Sequence, residues 1–417
     1  MEGGSGSERR RLLVLGAGAG QLGLLEAAQR LGLYVVAVDR DPAAPGFRYA
    51  DRRAIVSVED EHGVDRLAAA EQVEGVIAPG IDFPVAVAAR VAARHNLPHP
   101  LAPELAQRAV SKLRQREHLA EAGIPHAPFR VCASVADAKQ ALAELGLPCV
   151  VKPPDRQGQR GLSVVTSAGD IVPAFDFALD AARGPTVLVE RLVEGPELTV
   201  NAFSVAGRFH PLTVTDRLVA ARPAFGVALA HVWPSELPDS TVAAAVELAR
   251  RAAVAIGIDN GPTYTQVLVG SDGPVVGELA ARLGGGHDAE LCLAALGIDL
   301  NELAIAAALG EEIPGDRLSQ PVGEEAGGAC VRFLVAPEGV VDGIEGVERA
   351  EDSDGVVWVR VYRQAGDEIR PLRHGSDRVG AVLAVGDSRK QALARARRAA
   401  RRVRFRVVET PAPLEVA

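Results

Sequence analysis

Apolar residues recur along this chain with two different periods, and the switches between them mark its elements. In residues 12–15, 34–39, 54–58 and 75–78 they run almost without interruption, as in short strands buried on both faces. Helices fall between and after them, from the glycine turn at 16–23 to about residue 31 and over 83–95. Strand and helix alternating with short loops predict a doubly wound parallel sheet. Residues 106–147 then read helix, strand, helix, with Pro125 and Pro128 marking the turn. Strands are predicted at 147–153 and 162–165, around a basic glycine-containing loop, and at 186–193.

From residue 198 the pattern changes to hairpins. Gly207-Arg208 joins strands at 198–205 and 209–214, and Ser271-Asp272-Gly273-Pro274 joins two more between Tyr264 and Ala280. Between the hairpins, Val242, Val246, Ala249 and Ala253 repeat at helical spacing over 240–256. Helices follow at 289–296 and 301–309, and 314–328, rich in Gly, Pro and acid, reads as a linker. Strands at 330–335, 356–362 and 381–385, then a helix capped by Ser388 and running to about 405, form a separate unit. Its basic residues, Arg389 to Arg402, fit either a nucleic-acid surface or a solvated face over Ala392, Leu393, Ala396 and Val403.

Composition narrows the function classes. A chain of 417 residues implies two to four domains. Aromatics at 4% and a net charge of −9 argue against a nucleic-acid binder. No apolar run is long enough for a membrane span, and the Gly/Ser tail over 1–8 lacks the regions of a signal peptide. Cys132, Cys149, Cys292 and Cys330 have no paired spacing, so a reducing, cytoplasmic setting is expected. Only four of the 45 basic residues are lysine, and two of these, Lys112 and Lys152, stand in recognisable contexts. A compact ammonium on a phosphate is a task for which Lys is suited.

The candidate chemistry centres on the hairpin from Tyr264. Gln266 and Glu278 lie on its facing strands, so two oxygen ligands can converge on one cation, and magnesium suits that donor set. Arg282 follows one helical turn's length later, and Gly284-Gly285-Gly286 can bring backbone N–H groups to an anion. A hairpin with a solvated salt bridge and a plain glycine loop fits the same residues. The loop 154–161 can fold over phosphates through its N–H groups or be a surface turn. Glu190 can accept from an adenine amino group and Glu197 from ribose hydroxyls, although most glutamates are simply exposed. The glycines after the first strand, with Asp39, meet a loose dinucleotide fingerprint, or serve a tight strand-to-helix turn.

Taken in order, Ser111-Lys112, Val150-Val151-Lys152-Pro153, Gly158-Gln159-Arg160-Gly161, Glu190, Gly195-Pro196-Glu197 and Glu278 with Arg282 resemble the ATP-grasp superfamily of carboxylate–amine ligases. Within it the chain is most similar to the L-amino-acid (dipeptide) ligase group, through His231 to Ser235, Arg282 to His287 and the C-terminal glycines. The resemblance implies a multidomain α/β and α+β chain: a doubly wound parallel α/β domain (9–105), an ATP-grasp fold (106–313, lobes 106–187 and 188–313), the linker, and a small α+β domain (329–417). It removes the cofactor meaning from the first glycine turn.

It further implies that ATP turns a carboxylate into an acyl phosphate, which an amine then attacks. Lys112 and Lys152 would face phosphates, the loop at Gln157, Gly158, Gln159 and Gly161 would close over them, and Glu190, Arg191, Leu192, Val193 and Glu197 would hold the nucleoside. Gln266 and Glu278 would bind magnesium, with manganese as a substitute. Lys152, Glu278 and Arg282 would be catalytic, and Arg282, Gly285, Gly286, His287, His231 and Ser235 would contact the carboxylate and amine substrates. Similar proteins are commonly homodimers, and no nucleic-acid or membrane partner is expected. Gln266 replaces an acidic metal ligand, Ala280 a frequent Asn and Gln159 a frequent Ser. These departures leave room for a weakened regulator. A purine-pathway ligase or transformylase would need a cationic pocket for a sugar phosphate, for which the sequence offers no motif.

Overall fold

The computed structural model describes residues 9–222, 224–319 and 326–408; the tail over 1–8, the centre of the linker and the end beyond 408 lie outside the described residues. The first unit comprises β1 (Arg11–Leu15), α1 (Leu22–Arg30), β2 (Tyr34–Asp39), β3 (Arg52–Ile55), α2 (Glu61–Ala70), β4 (Gly75–Ile77) and α3 (Phe83–Arg94). Its sheet is parallel, in the order β3-β2-β1-β4. Because side chains alternate across a strand, Leu13, Leu15, Val36 and Val38 enter one core with α3, and Leu12, Val14, Val35 and Ala37 another with α1. The third strand lies earlier than 54–58, since Arg52 to Ile55 pair with Val36 to Asp39.

The second unit contains α4 (Pro103–Ala109), α5 (Lys112–Glu121), β5 (Phe129–Cys132), α6 (Val135–Leu145), β6 (Cys149–Lys152), β7 (Ser163–Val165), α7 (Ile171–Ala181) and β8 (Val187–Arg191). Its antiparallel sheet runs β5-β8-β6-β7. Cys149 and Val151 of β6, with Val187 and Val189 of β8, pack under Ala138 and Ala141 of α6 and Phe175 and Ala178 of α7. The pleat therefore turns Val150, Lys152 and Glu190 to the opposite face. Ser111 caps α5 by accepting from Arg114 N at 3.4 Å, which fixes Lys112 as its first residue.

The third stretch holds β9 (Glu197–Val205), β10 (Arg208–Val219), β11 (Ala228–Trp233), α8 (Asp239–Ile256), β12 (Gly261–Gly270), β13 (Gly273–Ala280), α9 (Asp288–Leu296) and α10 (Leu300–Ala308). The last holds β14 (Gly328–Leu334), β15 (Gly339–Glu345), α11 (Val347–Glu351), β16 (Val356–Val361), β17 (Glu368–Ile369), β18 (Gly380–Gly386), α12 (Arg389–Ala400) and β19 (Arg404–Val408). Eight of these strands form one sheet, β13-β12-β9-β10-β11-β14-β18-β16. The strands expected to form a separate unit thus continue the central sheet: β14 pairs with β11 from Ala230↔Arg332 to Trp233↔Ala329. A small second sheet, β17-β15-β19, completes that end. Residues 404–408, expected at the end of a helix, instead pair with β15.

One face of the central sheet is apolar. Leu198, Val200, Val267, Val276 and Leu279 bury against Ala245, Leu248, Ala249 and Ala252 of α8, whose small side chains let the helix sit close. The pleat leaves Glu197, Thr199, Asn201, Tyr264, Gln266 and Glu278 on the other face. Among the described residues no single helix is long and apolar enough to cross a membrane.

Candidate active site

The polar faces of the two antiparallel sheets line a cleft that opens to solvent. Lys112, Lys152, Gln157, Gly158, Gln159, Glu190, Arg191, Leu192, Val193, Glu197, Gln266 and Glu278 all line it. Segments separated by more than a hundred residues thus meet in one space. Gly161 instead sits behind the loop, at φ +72 with no room for a Cβ beside Ala181.

The lysines and glutamates on the floor of this cleft are paired with opposite charges. Lys112 Nζ lies 2.8 Å from Glu278 Oε1 and donates to Arg156 O at 2.6 Å. Lys152 Nζ lies 2.8 Å from Glu190 Oε2, and Arg116, itself 1% exposed, grips the same carboxylate with Nε and Nη2 at 3.0 and 3.3 Å. Burial alone would raise the Glu190 pKa, but Arg116 and Lys152 overcome it and hold the group down at about 2. Burial lowers Lys152, only partly opposed by Glu190. Burial likewise opposes ionisation of Glu278, and Lys112 outweighs it, leaving the carboxylate below its ordinary range. Glu190 is therefore no exposed carboxylate: three donors occupy most of its acceptor positions.

Gln266 and Glu278 are direct cross-strand partners. Gln266 Nε2 donates to Glu197 Oε2 at 2.8 Å, and Arg217 Nη1 pairs with the same oxygen. This orients the amide, leaving Oε1 as a free acceptor opposite Glu278, whose Oε2 also has no partner among the described residues. Two hard oxygen donors, only one of them charged, fit magnesium that shares its coordination with phosphates and water. Among the described residues no group of three His, Cys, Asp or Glu is arranged to hold a metal ion by itself.

The remaining predicted residues divide into three groups. Arg282 reaches the first unit: its Nε donates to Asp82 Oδ1 at 2.6 Å, while Asp82 N donates to Gln157 Oε1 at 2.6 Å. Asp82 therefore ties the arginine to the loop over 154–161. The glycine run forms no open anion cradle, because Gly285 abuts Gly80, where a Cβ would lie 2.8 Å from the Gly80 oxygen, and Gly286 N donates to Asp288. His231 and His287 are buried beyond it, around the start of α9. Ser235 is not brought to the cleft. It donates to Asp216 at 2.6 Å, and Arg389 of α12 pairs with that same carboxylate. Asp216 and Arg217 alternate across β10, so Ser235 belongs to the opposite face. Most of residues 214–235 lie in β10 and β11.

Arg116, Asp82, Arg217 and Arg378 went unread in the sequence as site residues. Arg116 carried a local signal, standing one helical turn after Lys112, and Arg217 and Arg378 fell in stretches that resemble the family.

Residues 145–290 match the model of the ATP-grasp domain, and residues 332–408 that of L-amino acid ligase C-terminal domain 2. An uncharacterized protein, y4rH, from Sinorhizobium fredii is 30% identical over 88% of this chain and 77% of its own. The formate-dependent phosphoribosylglycinamide formyltransferase of Burkholderia lata is 30% identical over 94% of this chain and 95% of its own. The chain belongs to the ATP-grasp family of carboxylate–amine ligases. Among solved structures, the L-amino acid ligase from Bacillus licheniformis has the same ATP-grasp fold, with a TM-score of 0.81, 23% identity and coverage of 97% and 100%. In this ATP-grasp chain the cleft lies within and beside the matched domain, and the glycine turn after β1 lies outside it.

Proposed function

We propose that this ligase phosphorylates a small carboxylate, of the amino-acid class, with ATP and joins the resulting acyl phosphate to an amine, releasing ADP and phosphate. The observation that carries the proposal is the Gln266–Glu278 pair facing Lys112 and Lys152 across one cleft. A carboxylate is a poor electrophile, and a phosphoryl leaving group removes that obstacle. Lys112 and Lys152 supply positive charge to the triphosphate, and the loop from Gln157 to Gly161 covers it. Glu190 to Val193 take the adenine and Glu197 the ribose. Gln266 and Glu278 hold magnesium, which screens the phosphates when bound; manganese can replace it. Arg282, placed by Asp82, faces the transferring phosphoryl group, and the closed cleft protects the acyl phosphate from water.

The C-terminal match to an L-amino acid ligase domain supports amino acids as substrates. A second reading has its own support. Arg378 has no ion-pair partner among the described residues and stacks 3.7 Å from the Phe333 ring centroid. That guanidinium could take the phosphate of a ribosyl amine, consistent with the relationship to the formyltransferase. Phosphate release from ATP, with amino-acid pairs in one series and formate plus a phosphoribosyl amine in another, separates the two. Release that depends on a pair of amino acids supports the amino-acid ligase, and release that needs formate with the phosphoribosyl amine supports the second reading; a rate indifferent to every pair counts against both.

A further inference from the structure

Two histidines lie beside the glycine run, and their surroundings differ. His287 is satisfied: Nδ1 meets Glu290 Oε1 at 2.8 Å, and Nε2 meets the Tyr362 hydroxyl. His231, 2% exposed, has no hydrogen-bond partner for its Nδ1 among the described residues. Asp288 Oδ1 is equally unpartnered and lies 3.6 Å from that nitrogen, while Asp288 Oδ2 accepts from Gly286 N at 3.2 Å. Buried polar atoms are rarely left unsatisfied without a ligand, water or reaction to use them. The separation exceeds a hydrogen bond, as catalytic contacts often do before substrate tightens them. With Nδ1–H facing the carboxylate, Nε2 carries the lone pair. That atom faces the bare backbone of Gly286, where even a Cβ would come within 2.9 Å. His231 is the cross-strand partner of Arg217, whose Nη1 pairs with Glu197 in the cleft, so the ring stands on the cleft face of the sheet.

We infer that His231 Nε2 is the proton acceptor for the amine substrate, with Asp288 as the positioning residue that fixes its ring. The inference rests on the ligase reading above. An amino group arrives as an ammonium, which has no lone pair with which to attack. Its N–H bond breaks, the proton passes to Nε2, and the freed pair forms the C–N bond to the acyl carbon. The C–O bond to phosphate then breaks with its electrons on the leaving group. A second proton leaves nitrogen with the phosphate, and the first passes from His231 to solvent, so charge and atoms balance. Burial keeps the ring neutral but weakens it as a base, lowering it to about 4; Asp288 opposes this, while Arg217, Arg378 and His287 reinforce it. Acyl phosphate, a dianion, would draw the value upward on binding.

Hydroxylamine provides the test, since near neutral pH it arrives unprotonated and traps acyl phosphates without needing a base. Wild type and His231→Asn would each be assayed for amide from an amino acid and for hydroxamate from hydroxylamine. The expected result is amide formation down by about 10²-fold or more with hydroxamate retained. In the variant the residual amide rate should rise tenfold per pH unit towards the amine's own pKa. Asp288→Asn should lower amide formation less, by about tenfold, with the same selectivity. Parallel loss of amide and hydroxamate in His231→Asn would overturn the proposal, because the ring would then serve the acyl half of the reaction or the fold. Retained amide formation would also overturn it. Wild type yielding neither product is a different outcome, the failure of the ligase reading itself.

Discussion

The cleft between the two antiparallel sheets and the side chains gathered beyond the glycine run are both charged, yet they are finished to different degrees. On the floor of the cleft the charges rest on one another: Lys112 on Glu278, Lys152 and Arg116 on Glu190, Arg217 on Glu197. Beyond the glycine run, His231 Nδ1, Asp288 Oδ1 and Arg217 Nε have no partners, and Arg378 has no counter-ion among the described residues. A self-neutralised cleft suits a common ligand that brings its own charge and cation, because lysine can move from carboxylate to phosphate at little net electrostatic cost. Orphaned groups in a dry pocket are expensive, and they suit a substrate that must be distinguished from similar molecules.

The sharpest way to break this contrast is to remove the shared carboxylate. Glu278→Ala should lower ATP-dependent turnover by about 10³-fold, the loss typical of one preorganised electrostatic group, in a phosphate-release assay. Full activity would separate the cleft from the chemistry. Arg116→Met tests how far the cleft depends on its own pairing. It strips the principal partner from a buried Glu190 and should destabilise the fold by about 3 kcal/mol in urea unfolding. A stability near wild type would mean that Lys152 suffices.

Acid titration sharpens the same point. Glu190 falls from an ordinary 4.5 to about 2 in the folded chain, so its stabilisation is complete above pH 4.5 and is lost as pH falls towards 2. Glu190→Gln should flatten that part of the acid limb; an unchanged limb would show that Glu190 is not held ionised. The smallest effect concerns the opposite face. Ser235→Ala should cost about 1 kcal/mol, one hydrogen bond to Asp216, and leave kcat/KM unchanged.

The sequence displayed the cleft better than the pocket, for a physical reason. Lys152, Glu190 and Glu278 sit at fixed places on strands, where alternation sets the face each takes, and Lys112 is fixed by the cap that opens α5. Gln266 and Glu278 were legible as lying on facing strands, but a two-residue turn alone would pair Gln266 with Gly277; a bulge beside Gln266 brings Glu278 opposite it. Asp82 finds Arg282 across 200 positions, and Arg378 reaches Phe333 between strands separated by β15, β16 and β17, so no local pattern could announce either. Ser235 misled because the motif around it continues in sequence while the chain changes face after β11. The continuous eight-stranded sheet was hidden for the same reason: the pairing of β11 with β14 joins segments nearly a hundred residues apart. Arg404 and Arg406 extend the basic run of α12, which masked a strand with the alternation of an edge.

The most direct test of the central claim is a crystal structure with a non-hydrolysable ATP analogue and magnesium. The account predicts a triphosphate between Lys112 and Lys152, with Glu278 released from Lys112 and turned with Gln266 towards the ion. Nucleotide bound elsewhere, or Lys112 still on Glu278 with the analogue in place, would contradict it.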